Sequence, residues 1–199
     1  GGYEYDGQIL SELDEEAVKK QLAEWQGQVE SVAVIGAFSS LKTDQEARVA
    51  ALVHEAYGNE FPVTQSAEIG SIGLIQRENA SILNAGLFKV IATTITGFKQ
   101  ALADKGVANA DLYLTQNDGT LMTAEFAQRF PILTIGSGPT NSIRGAAYLA
   151  GKDDAIVVDI GGTTTDLGVL KNGFPRESAI AVEVGGVATN FRMPDILSI

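Results

Sequence analysis

One string, Asp159-Ile160-Gly161-Gly162-Thr163-Thr164-Thr165-Asp166, gathers the groups from which a phosphate site could be built. It follows the apolar run Ala155–Val158 and precedes Asp166-Leu167-Gly168-Val169-Leu170, so it reads as strand, loop, strand. A carboxylate at the end of a buried strand is rigidly held and can orient a hydrated Mg²⁺. Two glycines allow positive φ and close approach of backbone to a ligand, and successive N–H groups can cradle an anion. The threonines add hydroxyl donors, and a second carboxylate closes the turn. Asp159 and Asp166 are therefore the candidate catalytic carboxylates, with Asp159 also the candidate metal ligand. Gly161, Gly162, Thr163 and Thr164 are the candidate cofactor-binding residues. The alternative is a plain Gly-Gly turn whose threonines satisfy the backbone. The string is neither GxxxxGK[ST] nor GxGxxG.

Weaker candidates lie elsewhere. Asn117-Asp118-Gly119-Thr120 reads as a hairpin turn or as part of a cleft. Gly136-Ser137-Gly138-Pro139-Thr140 precedes a helix, where Ser137 or Thr140 could cap or where free N–H groups could face substrate or phosphate. Asn117, Asp118, Ser137, Gly138 and Thr140 are accordingly cleft candidates. Arg144 could reach an anion or form a structural salt bridge. Arg77-Glu78-Asn79 reads as a surface ion pair and cap, or as a site element. His54 is expected to face solvent and Trp25 to be core.

Composition narrows the chemistry. The 199 residues hold 14 Lys+Arg against 25 Asp+Glu, a net charge of −11, which argues against nucleic acid or an anionic membrane as partner. There is no cysteine and one histidine, so disulfide scaffolds, zinc ribbons and histidine-rich binuclear centres are excluded within these residues. Oxygen-ligated metals such as Mg²⁺ stay open. The longest apolar runs read as strand-length, with no membrane span and no signal peptide, which points to the cytoplasm. The start lacks a methionine and the end stops on an apolar run, so the chain is expected to be a piece of a longer polypeptide.

The elements that must position these groups alternate. Asp14 caps a helix running to about Trp25, with Gly27 as its stop. Glu30–Phe38 reads as a strand buried on both faces. Thr43-x-x-Glu46 reads as a capping box opening a helix that ends at Gly58. Phe61–Ser66 is a strand, and 66–105 a long helix broken near Gly70–Gly73. Asp111–Gln116 is a strand, Thr123–Phe130 a short helix, and Ile132–Ile135 strand-like. A helix over Asn141–Ala150 precedes strands at Ala155–Ile160, Asp166–Leu170 and near Ile180–Val184, the last after a turn at Lys171-Asn172-Gly173. The alternation predicts an α/β fold with a mixed, largely parallel sheet.

At this point the sequence resembles a known family. DIGGTTTDLGVL is similar to a phosphate loop of the actin, sugar-kinase and heat-shock ATPase superfamily, and more narrowly to the hydantoinase/oxoprolinase family. Ile69–Leu87, Leu114–Met122, Gly136–Ala147 and the Leu10–Phe38 unit carry the narrower likeness. The resemblance implies a three-layer ribonuclease-H-like fold, with residues 1–66 ending an N-terminal region and 67–199 beginning the hydantoinase A domain. It implies ATP and Mg²⁺, a small cyclic-amide substrate, and a second hydantoinase-type subunit or domain. The implied reaction phosphorylates the ring carbonyl oxygen before water opens the ring. Because a first phosphate loop is expected upstream, the isolated chain is expected not to hydrolyse ATP appreciably. A kinase-like phosphotransferase, a ketone-carboxylase subunit and a non-catalytic nucleotide-gated assembly module remain alternatives.

Overall fold

The computed structural model describes residues 1–70, 72–178 and 182–199. They form two compact units, Gly1–Lys89 with Glu183–Phe191, and Val90–Val182 with Arg192–Ile199.

The first unit opens with the antiparallel pair β1 (Gly2–Tyr3) and β2 (Ile9–Ser11). Helix α1 (Glu15–Trp25) follows, its first turn capped by the Asp14 carboxylate, which accepts from Ala17 N at 2.9 Å. Strand β3 (Val32–Val34), helix α2 (Asp44–Tyr57) and strand β4 (Val63–Gln65) make a parallel crossover unit, with Val32 opposite Val63. Leu22 of α1 packs on Leu52 and Val53 of α2, and Val18, Val32, Tyr57, Phe61 and Val63 close round them. Arg48 adds a bidentate bond to Glu15, at 2.8 and 2.7 Å. Trp25, expected in this core, is 40% exposed at the end of α1. His54, expected to face solvent, is half-buried, with Nε2 3.2 Å from the Phe61 carbonyl.

Three expectations fail here for one reason. Glu46 does not reach back to Thr43 as a capping box; Thr43 makes no side-chain cap bond. Its carboxylate is buried and accepts from Gly36 N (2.8 Å), Ser39 Oγ (2.6 Å), Ser66 Oγ (2.5 Å) and Ala67 N (3.0 Å). Arg77 completes the network. It is 1% exposed rather than a surface residue, and donates to Ser66 Oγ at 2.9 Å and to the Gly36 carbonyl at 2.6 Å. Both backbone groups of Gly36 are thus taken by side chains, and strand pairing stops at Val34. The strand expected over Glu30–Phe38 is cut to three half-buried residues, and the chain turns away through Phe38 at φ 50°.

Helix α3 (Ser66–Ile69) is short, and the break expected near Gly70–Gly73 precedes α4 (Leu74–Asp104). Asn84 of α4 donates to Thr64 Oγ1 of β4. Asn79 donates to the Ala188 carbonyl of strand β11 (Val187–Thr189), which pairs with β10 (Val182–Val184). Of the strand expected near Ile180–Val184, residues 179–181 lie outside the described residues. By length and composition α4 is apolar enough to cross a membrane, with an 18-residue window of mean hydropathy 1.3. The expectation that apolar runs stay strand-length is therefore corrected. The same helix carries buried Arg77, Ser81 and Asn84 in the first unit and buried Ile91 and Ile95 in the second.

In the second unit Ile91 and Ile95 pack on Met122, Ala124 and Ala127. Strands β5 (Tyr113–Thr115) and β6 (Leu121–Thr123) form an antiparallel hairpin, followed by α5 (Ala124–Arg129). Pro131–Thr134 is a 3₁₀ turn rather than a strand, led by the fixed φ of Pro131. Helix α6 (Ser137–Ala150) begins four residues before the expected Asn141, because Pro139 in a first turn has no N–H to satisfy. It covers one face of an antiparallel sheet ordered β12 (Ile196–Ser198), β8 (Thr165–Lys171), β7 (Ala155–Ile160), with β9 (Phe174–Pro175) paired to the far end of β8. Ile143, Ala147 and Leu170 form the core beneath α6, joined by Ala155, Val157 and Ile196. Gly168 permits the close approach, since a Cβ there would lie 2.1 Å from Ile143 Cδ1.

The expected largely parallel sheet is corrected. β3–β4 is parallel, whereas β1–β2, β5–β6 and the whole β7–β8–β9–β12 sheet are antiparallel. Parallel pairing needs a crossover, which α2 supplies, while the other pairs join through short turns or run back along β8. Strand β7 is also not buried on both faces. Ile156, Val158 and Ile160 are 75%, 51% and 78% exposed on the side away from α6.

Glu46→Ala should lower stability by about 3 kcal/mol, because four donors lose a buried acceptor; a urea midpoint measures it. Alkali should act through Tyr3. Its hydroxyl donates to the Asp44 carboxylate, and this bond with burial pushes the phenol from 10.0 up to about 12. The neutral phenol is favoured by folding, so this contribution is complete below pH 10.0 and is lost as pH rises towards about 12. Tyr3→Phe should flatten the fall in stability over that window, read by denaturant titration at each pH.

Candidate functional site

The DIGGTTTD string forms the turn between β7 and β8. Asp159 stands opposite Asp166 and Ile160 opposite Thr165, and Gly161 N donates to Thr164 O at 2.9 Å, leaving Gly162 and Thr163 at the tip. Residues 161–164 are exposed, and Asp159 and Asp166 are half-buried. Side chains two apart on a strand share a face. Asp166 therefore lies on the side of Gly168 and Leu170, the side covered by α6, and its cross-strand partner Asp159 lies there too. Across the other edge of β8, Ser198 of β12 pairs with Asp166 on the same face, and its hydroxyl donates to the Asp166 carboxylate. The Asp159 carboxylate has no hydrogen bond or ion pair among the described residues.

The reason given for the glycines does not hold. Neither Gly161 nor Gly162 has positive φ. A Cβ on Gly162 would meet nothing within 4 Å, and one on Gly161 would touch Thr164 O at 3.3 Å. The loop nonetheless offers donors. The N–H groups of Gly162, Thr163 and Thr164 and both threonine hydroxyls make no hydrogen bond among the described residues. Three successive free N–H groups beside a free carboxylate can hold a phosphate and face a cation. Among the described residues no three Asp, Glu or His side chains converge as a metal cage. One free carboxylate suits a hydrated Mg²⁺ that takes its other ligands from phosphate and water.

The remaining candidates are placed differently. Asn117 is 1% exposed. It donates to the carbonyls of Ile132 and Arg192, and its Oδ1 accepts from Gly136 N at 2.7 Å. Thr140, also buried, donates to the Asn117 carbonyl at 2.9 Å. Together they lock the β5–β6 turn onto the start of α6. Asp118 accepts from Thr120 N and Oγ1, at 2.9 and 2.6 Å, and lies 3.5 Å from Arg192. Ser137 donates to the Thr134 carbonyl rather than capping α6, whose N-cap is Gly136; Gly138 is exposed in the first turn. Arg144 makes neither an anion contact nor a salt bridge among the described residues. It donates to the Gly173 carbonyl at 2.6 Å and stacks 4.3 Å over the Phe174 ring. Sequence reasoning did not single out Ser198, whose role depends on β12 register, nor the buried status of Glu46.

Gly162→Val should leave stability within about 0.5 kcal/mol, because the tip is open and its backbone is ordinary. Gly168→Val should cost roughly 2–3 kcal/mol by overpacking Ile143. Paired denaturation curves of the two variants check the contrast.

The family model described as hydantoinase/oxoprolinase matches residues 77–199, and that of the hydantoinase/oxoprolinase N-terminal region matches residues 1–57. The chain is 27% identical over 172 residues to caprolactamase subunit alpha of Pseudomonas jessenii, covering 84% of this chain and 25% of that protein. It is 26% identical over 185 residues to an uncharacterized protein of Methanocaldococcus jannaschii, covering 91% and 27%. It thus spans about a quarter of the length of these curated relatives. Among solved structures, the crystal structure of ATP-dependent caprolactamase from Pseudomonas jessenii matches with a TM-score of 0.83 at 23% identity, over 100% of this chain and 29% of that one. The nucleotide-free structure of an acetone carboxylase matches with a TM-score of 0.74 at 20% identity, over 99% and 28%. These two likenesses establish a shared fold. With a family match over more than half its length, the chain belongs to the hydantoinase/oxoprolinase family.

Proposed function

We propose that this chain is part of an ATP-dependent hydrolase of cyclic amides, and that the β7–β8 turn is one of its phosphate grips. The observation that carries the reading is the exposed Gly162–Thr164 run of free N–H donors next to the unpartnered carboxylate of Asp159. In an acidic chain of net charge −11, affinity for a polyphosphate must come from such local donors and from a bound cation's own charge. Gly162, Thr163 and Thr164 hold phosphate oxygens through N–H and hydroxyl groups. Asp159 faces a hydrated Mg²⁺. Asp166 fixes the other side of the turn. ATP would phosphorylate the ring carbonyl oxygen with departure of ADP, activating the ring carbon; water would add there, the C–N bond break with a proton passing to the amine, and a second water hydrolyse the acyl phosphate so formed to carboxylate and inorganic phosphate. The relative named caprolactamase, a lactam hydrolase by name, supports this chemistry, and its designation as subunit alpha supports a second subunit.

The reading extends to the fold. In the intact protein this unit is the start of a three-layer ribonuclease-H-like domain, with residues 67–199 as its beginning and 1–66 ending the preceding region. The sheet face bearing Ile156, Val158 and Ile160 is where a further layer would pack.

The test is phosphate release from ATP by the intact protein, with caprolactam, 5-oxoproline, hydantoin, N-methylhydantoin and ketones as second substrates. A ring amide should stimulate release and be opened. Asp159→Asn should lower turnover about 100-fold by removing charge while keeping shape, and Gly162→Val should impair nucleotide use at unchanged stability. Stimulation by ketones alone would point to a carboxylase. Wild-type turnover in both folded variants would reduce the loop to a turn.

A further inference from the structure

We infer that Ser198 is a positioning residue of the phosphate site, holding Asp166 so that Asp159 alone is left to face the cation. The inference rests on the functional reading above and adds a residue and a division of labour to it.

The argument begins with register. Asp159, Asp166 and Ser198 occupy one row across β7, β8 and β12, since Asp159 pairs with Asp166 and Asp166 with Ser198. All three side chains are on the α6 side of the sheet. Two carboxylates directly opposite each other across a strand pair repel, and left alone they would be interchangeable competitors for one cation. The third member of the row breaks that symmetry. A hydroxyl is a donor with little bulk, and Ser198 donates to Asp166. Asp159, at the other end of the row, has no protein partner among the described residues. Backbone supports the arrangement from both sides of the row. Thr165 and Ile199 exchange a pair of N–H···O bonds, at 2.9 and 3.0 Å. Ile196, two residues back on β12, packs beneath α6 with Ile143. The Ser198 side chain is therefore delivered to Asp166 by a strand anchored before and after it. Residue type matters at this position: alanine would leave Asp166 without its donor, whereas threonine keeps the hydroxyl and suits a strand.

The test uses the intact protein and four variants: Ser198→Ala, Ser198→Thr, Asp159→Asn and Asp166→Asn. Each is assayed for kcat and KM for ATP and for thermal midpoint. Ser198→Ala should lower kcat about tenfold, the lower range for losing a group that orients a ligand-bearing residue, with KM for ATP within about twofold and an unchanged midpoint. Ser198→Thr should restore most of kcat. If Ser198→Ala keeps wild-type kcat while both aspartate variants lose theirs, the positioning role is overturned and the phosphate reading stands. If Ser198→Ala instead lowers the midpoint and Ser198→Thr fails to recover kcat, the serine is structural only and the inference is again overturned. If both aspartate variants keep wild-type kcat, the phosphate reading itself fails.

Discussion

A pair of antiparallel strands has one free parameter, its register, and a turn with a two-residue tip leaves it little room to vary. Gly161 and Thr164 close the turn between β7 and β8, and every pairing from Ile160–Thr165 back to Ala155–Leu170 follows in step. Slipping that pairing by one residue would exchange the two faces of the sheet. Ala155 and Val157 would leave α6, Ile156 and Val158 would enter its core, and Asp159 would move to the far side from Asp166. The core beneath α6 and the polar row at its edge are thus two readings of one register. Gly168 enforces the same choice, because it is the position over which Ile143 sits.

The first unit relies on a different kind of constraint. Beside its apolar cluster it holds a buried carboxylate. Glu46 gathers donors from the β3–α2 loop and from the start of α3, and Arg77 joins the same loop to α4. Buried charges of this kind demand full hydrogen bonding and fix geometry closely. They also shorten strands, because each backbone group they capture is withdrawn from a ladder.

That competition explains much of what could and could not be read from sequence. Helix boundaries carrying their own chemistry were legible: Asp14 before α1, Gly58 after α2, the Gly70–Gly73 break, Thr123 before α5. The β7–turn–β8 unit was legible because an apolar run, a glycine pair and a second apolar run sit within seventeen residues of one another. Elements decided by distant partners were not. Spacing showed Thr43 and Glu46 as a local pair, yet Ser66 and Ala67 hold the glutamate. The apolar run Glu30–Phe38 could not reveal that Gly36 would be taken by side chains. The segment Ser137–Thr140, expected to precede the helix at Asn141, is its first turn. The candidate residues divide in the same way: the loop residues stand together, while Asn117 and Thr140 are spent on holding a turn to a helix.

Strand β7 has a neighbour on one side only among the described strands. Along its outer edge every second residue presents its backbone donor and acceptor, and its flanking face presents isoleucine and valine. Proteins blunt such edges with proline, lysine, bulges or brevity, and Ala155–Ile160 has none of these. Its one charge, Asp159, turns towards α6, and Asp153 and Asp154 guard only the entry to the strand. Handled as an isolated 199-residue polypeptide, the molecule would depend on overall charge repulsion for its colloidal stability. Salt that screens this repulsion, or acid approaching the pI of about 4.5, would turn the strand into a template for edge-to-edge aggregation.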